Sequence, residues 1–277
     1  MLGELLAKPG VQEICELRGR FGMMAFHGGN LERTTDVVAA EVARRTNASY
    51  YAVLQAPPLR EHLASTAFDP AASDALASFI SFVDVVIAIH GYGRKDQWHD
   101  LLLGGRNREL AHHLAGHLRA GLPEPYRIVE DLDQIPKALR GQHPDNPVNL
   151  PVQRGVQLEL PPTVRWNYEV RGWSDHEGVP RSPDVDRLID ALTKGVQTWV
   201  GLDPSTPSRI AHPAQGVQPG GLPPKGTLLD SESGEPNAEQ RGLLRGWFFR
   251  VLISLDGMEK VIVSAPHGSP IYAQGVF

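Results

Sequence analysis

The sequence predicts an α/β protein whose open sheet, mixed but mainly parallel, is flanked by helices and followed by a small carboxyl-terminal β appendage. Three observations carry that expectation. Apolar runs of strand length at residues 23–26, 50–54, 83–89 and 155–160 alternate with helical segments through residue 200. Two of the runs end in His-Gly, at His27-Gly28 and His90-Gly91, as expected where the carboxyl ends of parallel strands present side chains to a ligand. Beyond a proline- and glycine-rich stretch at 201–225, two β-rich runs at 243–255 and 260–263 flank Asp256-Gly257, a hairpin signal.

Residues 2–19 read as a short helix and an entry segment. The strand at 21–26 ends in the tight Gly28-Gly29 turn, and Thr34-Thr35-Asp36 supplies a capping-type start for a helix over 37–45. A strand at 50–54 runs into a loop that begins at Pro57-Pro58. Residues 71–82 are expected to be helical, 83–89 and 98–103 to be strands, and 108–120 a helix. His112, His113 and His117 on that last helix do not share one face, which makes them a poor ligand set. A short β segment at 126–129, a turn-rich loop at 141–149, a strand at 155–160 and an amphipathic helix at 184–200 complete this part. The expected division is an α/β domain over 1–200, a linker over 201–226 and a β-hairpin extension over 227–277. Too short to hold a core alone, the extension is expected to pack on the main domain or on a second copy, a route to a homo-oligomer.

Composition is that of an ordinary globular chain: 277 residues, 41% hydrophobic and 21% charged, with a net charge of -5. Neither nucleic acid nor an anionic membrane is an expected partner, and no stretch approaches the roughly 20 apolar residues of a membrane span. A polyanionic substrate would need local basic groups. The lone cysteine, Cys15, rules out an intrachain disulfide and suits a reducing compartment. The first twenty residues carry Glu4, Lys8, Glu13, Glu16 and Arg18 without an apolar block, so a cytoplasmic location is expected.

The stretch that organises the chemistry is Phe21 to Glu32. A histidine at the lip of a strand and a glutamate beyond a tight turn converge on one point, which is how an open zinc site commonly receives two of its three ligands. His90 is the natural third. The competing reading is a pair of core-edge histidines held by hydrogen bonds. Glu159 stands in an apolar strand, pointing away from its apolar neighbours, and a buried carboxyl there is expensive unless paired. It would take a proton from activated water and deliver it to a leaving amine, or else pair with Arg154 or Arg165.

The motifs AFHGGNLERTTDVVAAEVA, HLASTAFDP, AIHGY, LLGGRN, LRGQHPDNPVN and GVQLELPPTVR occur in that order between Met23 and Arg165. In them the chain resembles the poly-γ-glutamate hydrolases, zinc peptidases of phages and bacteria with a metallocarboxypeptidase-like fold. The resemblance implies zinc held by His27, Glu32 and His90, with Glu159 as general base and acid. It also implies an acidic peptide or γ-glutamyl polymer as substrate, and release by lysis if the protein serves a phage. His62 lies in a family-like stretch, where it contacts substrate or holds its loop by a hydrogen bond. Arg106 and Arg165 are candidate cations for a developing oxyanion, against the alternative of surface salt bridges. Asn149 ends the asparagine-containing loop, and the arginine that usually follows it is Leu150 here; if that arginine holds a substrate carboxylate, either Arg154 or Arg106 replaces it or the substrate differs. The neighbouring functional classes are a carboxypeptidase or N-acyl amino acid deacylase of the same layout, and a non-catalytic phage-associated binding protein that retains the site.

Overall fold

The computed structural model describes residues 1–200 and three strands beyond them, Phe248–Ile253, Glu259–Ser264 and Pro270–Gln274. The chain divides into two compact units, Met1–Ala211 and His212–Phe277. The expected linker at 201–226 lies outside the described residues.

The first unit is built on a seven-stranded sheet. In chain order its strands are β1 (Val11–Glu16), β2 (Gly19–Gly29), β3 (Ala48–Gln55), β4 (Val85–Gly91), β5 (Asp100–Leu103), β6 (Arg127–Val129) and β7 (Gly155–Leu160), and across the sheet they run β1-β3-β2-β4-β7-β5-β6. The four inner strands, β3, β2, β4 and β7, are mutually parallel, whereas β1 and β5 are antiparallel to their inner neighbours. Strands covered on both faces lose polar alternation, and residues 85–90 of β4 and all of β7 are buried.

Helices α2 (Thr35–Thr46), α4 (Arg108–Gly121) and α6 (Pro183–Thr198) cover one face, setting Val38, Val42, Leu114, Leu118, Leu188 and Leu192 in one core with Met23, Ile87, Ile89 and Leu158. The other face carries α1 (Leu2–Leu6) and α3 (Asp74–Phe82), whose Leu2, Leu5, Leu76 and Phe79 pack with Met24, Phe26, Val86 and Ala88. Alternation along β7 sends Val156, Leu158 and Leu160 to the first core and leaves Gln157 and Glu159 on the opposite face. A four-residue α5 (Pro162–Arg165) leads into the small ladder of β8 (Trp166–Asn167) and β9 (Gly172–Trp173).

Ser73, Asn107 and Ser182 cap α3, α4 and α6 through side-chain oxygens. Thr34 does not cap α2. It is held at φ 77 and its hydroxyl donates to the Ser174 carbonyl at 2.7 Å. The entry segment is β1, with Cys15 half-buried in it, and burial together with Glu13 and Glu16 pushes its thiol up to about 11. In the second unit β10 (Phe248–Ile253), β11 (Glu259–Ser264) and β12 (Pro270–Gln274) form an antiparallel three-stranded sheet, one strand more than the expected hairpin.

Two glycines test the packing in opposite directions. A Cβ on Gly155 would meet the Val86 carbonyl oxygen at 2.2 Å, a backbone atom that cannot step aside, whereas one on Gly116 of α4 would meet nothing within 4 Å. Gly155→Ala is expected to destabilise the protein by about 3 kcal/mol and Gly116→Ala to stabilise it by about 0.5–1 kcal/mol, measured by denaturant unfolding.

Candidate metal centre

Where β2 ends, Gly29 adopts φ +66, and a Cβ there would lie 2.5 Å from the Gln55 carbonyl oxygen. Only glycine makes this turn without strain. The chain then folds back, the Glu32 amide donating to the His27 carbonyl at 2.8 Å. That bond delivers the Glu32 carboxylate to the histidines. Its Oε1 lies 2.7 Å from His27 Nδ1, and its Oε2 accepts the Gly91 amide at 2.8 Å and stands 3.5 Å from His90 Nδ1. One carboxylate therefore joins the carboxyl ends of β2 and β4.

Both ring nitrogens of His27 face oxygen, since Nε2 is 2.8 Å from the Leu63 carbonyl. A neutral imidazole has a single N–H, so a further proton or a cation must lie between one of these pairs. A metal ion at Nδ1 and Glu32 satisfies that requirement and leaves the Nε2 hydrogen for Leu63, the arrangement that orients metal-bound histidines. The residues fit a divalent ion on this ground. His90 is 2% exposed, and its Nε2 is buried without a hydrogen-bond partner. Burial raises the Glu32 carboxyl, but the His27 and His90 imidazoles outweigh it and hold it far below the ordinary carboxylate range. Burial opposes charge on His90, yet the Glu32 carboxylate prevails and keeps that imidazole above its usual value.

His62 joins this group. One ligand atom each from His27, Glu32 and His62 lie within 4.8 Å of one another. Its loop is pinned on both sides, by the Gln55 amide exchanging hydrogen bonds with the Glu61 backbone and by Leu63 on His27. Burial and the neighbouring His27 lower the His62 imidazole's affinity for protons.

Glu159 pairs in register with His90 across β4 and β7. Burial raises its carboxyl; His90 opposes that rise and Glu32 adds to it. Gln157, two residues earlier on the same face, donates to Glu159 Oε1 at 2.8 Å while its own carbonyl oxygen accepts from Asn146 at 2.8 Å. The sequence reading missed Gln157, although Gln-x-Glu in an otherwise apolar strand is a signal that both side chains share a face. Arg165 is not a surface salt bridge. It is 4% exposed, donates to the Arg33 and Tyr92 carbonyls, and stacks 5.0 Å from the Trp173 ring. Burial lowers its guanidinium to about 10, while Glu32 and Glu159 support its charge.

The remaining candidates stand apart. Arg154 lies exposed at the amino end of β7, next to Gln153, whose amide bonds the Asp84 carbonyl just before β4 begins. Five residues of strand, about 16 Å, separate it from Glu159, so it neither pairs with that carboxyl nor reaches the centre. Arg106 also starts from that end, with its Nε on the Gln142 carbonyl, and the next residue's amide bonds Gly155. Asn149 uses both amide hydrogens on the Gly141 and His143 carbonyls, and its oxygen accepts the Arg106 amide, so it builds the loop instead of offering donors to a ligand. His113 and His117 converge on the Thr198 hydroxyl, far from these residues in the fold.

An open α/β sheet with a histidine–carboxylate cluster at the ends of parallel strands defines a protein with a candidate metal centre. The family model for poly-gamma-glutamate hydrolase matches residues 7–176, and the chain belongs to that family. It is 36% identical over 91 residues to the SPbeta prophage-derived UPF0714 protein YoqZ of Bacillus subtilis (strain 168), a match that covers 32% of this chain and 31% of that relative. Among solved structures, a bacteriophage poly-gamma-glutamate hydrolase superposes with a TM-score of 0.57 at 21% identity, over 67% of this chain and 87% of that one. A zinc-free apo form of YNDL superposes at 0.54 and 18% identity, over 68% and 90%. These likenesses establish the open α/β architecture expected from the motifs, a mixed, mostly parallel sheet flanked by helices. No helix among the described residues is long and apolar enough to cross a membrane.

The His90 shift sets a pH dependence for the metal-free protein. Its pKa is raised above the model-compound 6.5, so the stability it contributes is full below about that pH and is lost as pH rises through the higher folded value. The melting temperature of chelator-treated protein should therefore fall as pH rises above about 6.5, and His90→Gln should flatten that slope.

Proposed function

We propose that the chain is a zinc-dependent hydrolase of γ-glutamyl amide bonds in acidic peptides or polymers. The observation that carries this reading is the Glu32 carboxylate joined to both His27 and His90, with Glu159 beside His90 in strand register. Membership of the poly-gamma-glutamate hydrolase family supports the choice of substrate class.

His27, Glu32 and His90 would hold the ion, two nitrogens and a carboxylate leaving a position free. Bound there, zinc supplies Lewis acidity at the scissile carbonyl and makes water a competent nucleophile near neutral pH. Glu159 takes the proton from the attacking water and returns it to the leaving nitrogen. Its raised carboxyl suits both roles, because a base with a pKa nearer the working pH is also an effective acid. The Gln157 amide fixes Glu159 Oε1 and with it the direction of transfer. Arg165, buried and without a carboxylate within ion-pair distance among the described residues, adds positive charge where the carbonyl oxygen becomes anionic.

His27→Ala is expected to abolish both zinc uptake and hydrolysis of poly-γ-glutamate. Glu159→Gln should retain stoichiometric zinc while turnover falls by about 10²- to 10⁴-fold. Metal analysis and product sizing check both, and full activity in Glu159→Gln removes that residue from the mechanism.

A further inference from the structure

We propose that His62 is a detachable fourth protein ligand of the ion, bound in the free protein and displaced when a substrate carbonyl enters. The inference rests on the zinc reading above and concerns only the position that reading leaves free.

Around the Glu32 carboxylate stand three imidazoles, not two. His27 and His62 meet Glu32 with ligand atoms mutually within 4.8 Å, and His90 Nδ1 is 3.5 Å from Glu32 Oε2. Ligands about 2.0–2.1 Å from a tetrahedral ion lie roughly 3.4 Å from one another, so the His62 side chain, already within 4.8 Å of its counterparts on His27 and Glu32, would move inward to join them. The three imidazoles differ in how they are held. His27 and His90 are each 2% exposed at the ends of inner strands, whereas His62 is solvent-exposed on a loop. Its neighbours on both sides are nonetheless anchored, Glu61 to Gln55 and Leu63 to His27. The backbone is thus fixed, and release amounts to rotation of one side chain.

There is also somewhere for that side chain to go. A surface cleft of about 90 Å³ opens beside His62, lined by Glu4, Lys8, Glu61 and Leu63. Its Glu61 and Glu4 carboxylates already hold Lys8 and the amino terminus, and their remaining lone pairs are the acceptors open to an imidazole N–H that has left the ion. Four protein ligands make a closed site of the structural type, and loss of one restores the open catalytic type. The exchange needs no oxidant and no proton beyond those of ordinary ligand substitution.

The test measures zinc affinity by competition with a chromophoric chelator, and the visible absorption of the cobalt(II) form, for wild type, His27→Ala, His90→Ala, His62→Ala and His62→Asn. Both His62 variants should bind one ion at least about tenfold more weakly than wild type, with an altered cobalt spectrum. Adding γ-linked triglutamate to cobalt-loaded Glu159→Gln protein should shift its spectrum towards that of His62→Ala, and should shift it much less when His62→Ala is also present. Unchanged affinity and spectrum in both His62 variants would overturn the proposal while leaving the zinc reading intact. Loss of the ion in His62→Ala as complete as in His27→Ala would overturn it too, by making His62 a permanent ligand. A wild-type protein that binds neither zinc nor cobalt defeats the zinc reading itself, and this inference with it.

Discussion

The Glu32 carboxylate is the constraint on which the centre depends. β2 and β4 are parallel neighbours in the sheet, so the ladder sets their carboxyl ends side by side, although α2, β3, a long loop and α3 separate His27 from His90 along the chain. A single carboxylate, reached through a glycine turn, ties both strand ends by contacts to two imidazoles and one backbone amide. Such a group is stable in a nearly buried place only because positive charge surrounds it. Protons and a divalent ion are alternative sources of that charge, and so the same geometry describes both a protonated cluster and a metal site.

The two faces of the sheet divide the labour. Helices α2, α4 and α6 pack an uninterrupted apolar layer that holds the strands in register, and the opposite face carries the polar groups of β7. Period-two alternation separates Leu158 from Glu159 by one residue and by the thickness of the sheet. Asn146, Gln157 and Glu159 form a continuous hydrogen-bonded chain on that polar side, so the carboxyl is oriented by a loop whose own shape Asn149 maintains.

Much of this was legible in the sequence. Long apolar runs marked β2, β3, β4 and β7, because inner parallel strands are buried on both faces, and the helices showed through their caps and amphipathic spacing. What escaped has physical causes. β1 is an edge strand with a half-exposed pattern and two charges, Glu13 and Glu16, and β8 and β9 are two residues each, too short for any periodicity. Thr34 looked like a cap from its type, but tertiary bonding to Ser174 claimed its hydroxyl. Arg154 looked close to Glu159 because five residues are few in sequence, whereas in an extended strand they span most of a sheet. His62 was legible only as part of a motif. No pattern along a loop foretells which strand end it will lean on, and the structure alone brings it to His27 and Glu32.

Cys15 bears on how this protein can be handled. With its thiol pushed up to about 11 in β1, only about one sulfur in ten thousand is ionised at neutral pH, and the thiolate is the form that attacks disulfides and peroxides. The chain has no other cysteine. Air is therefore a weak threat to it, and purification can omit thiol reductants.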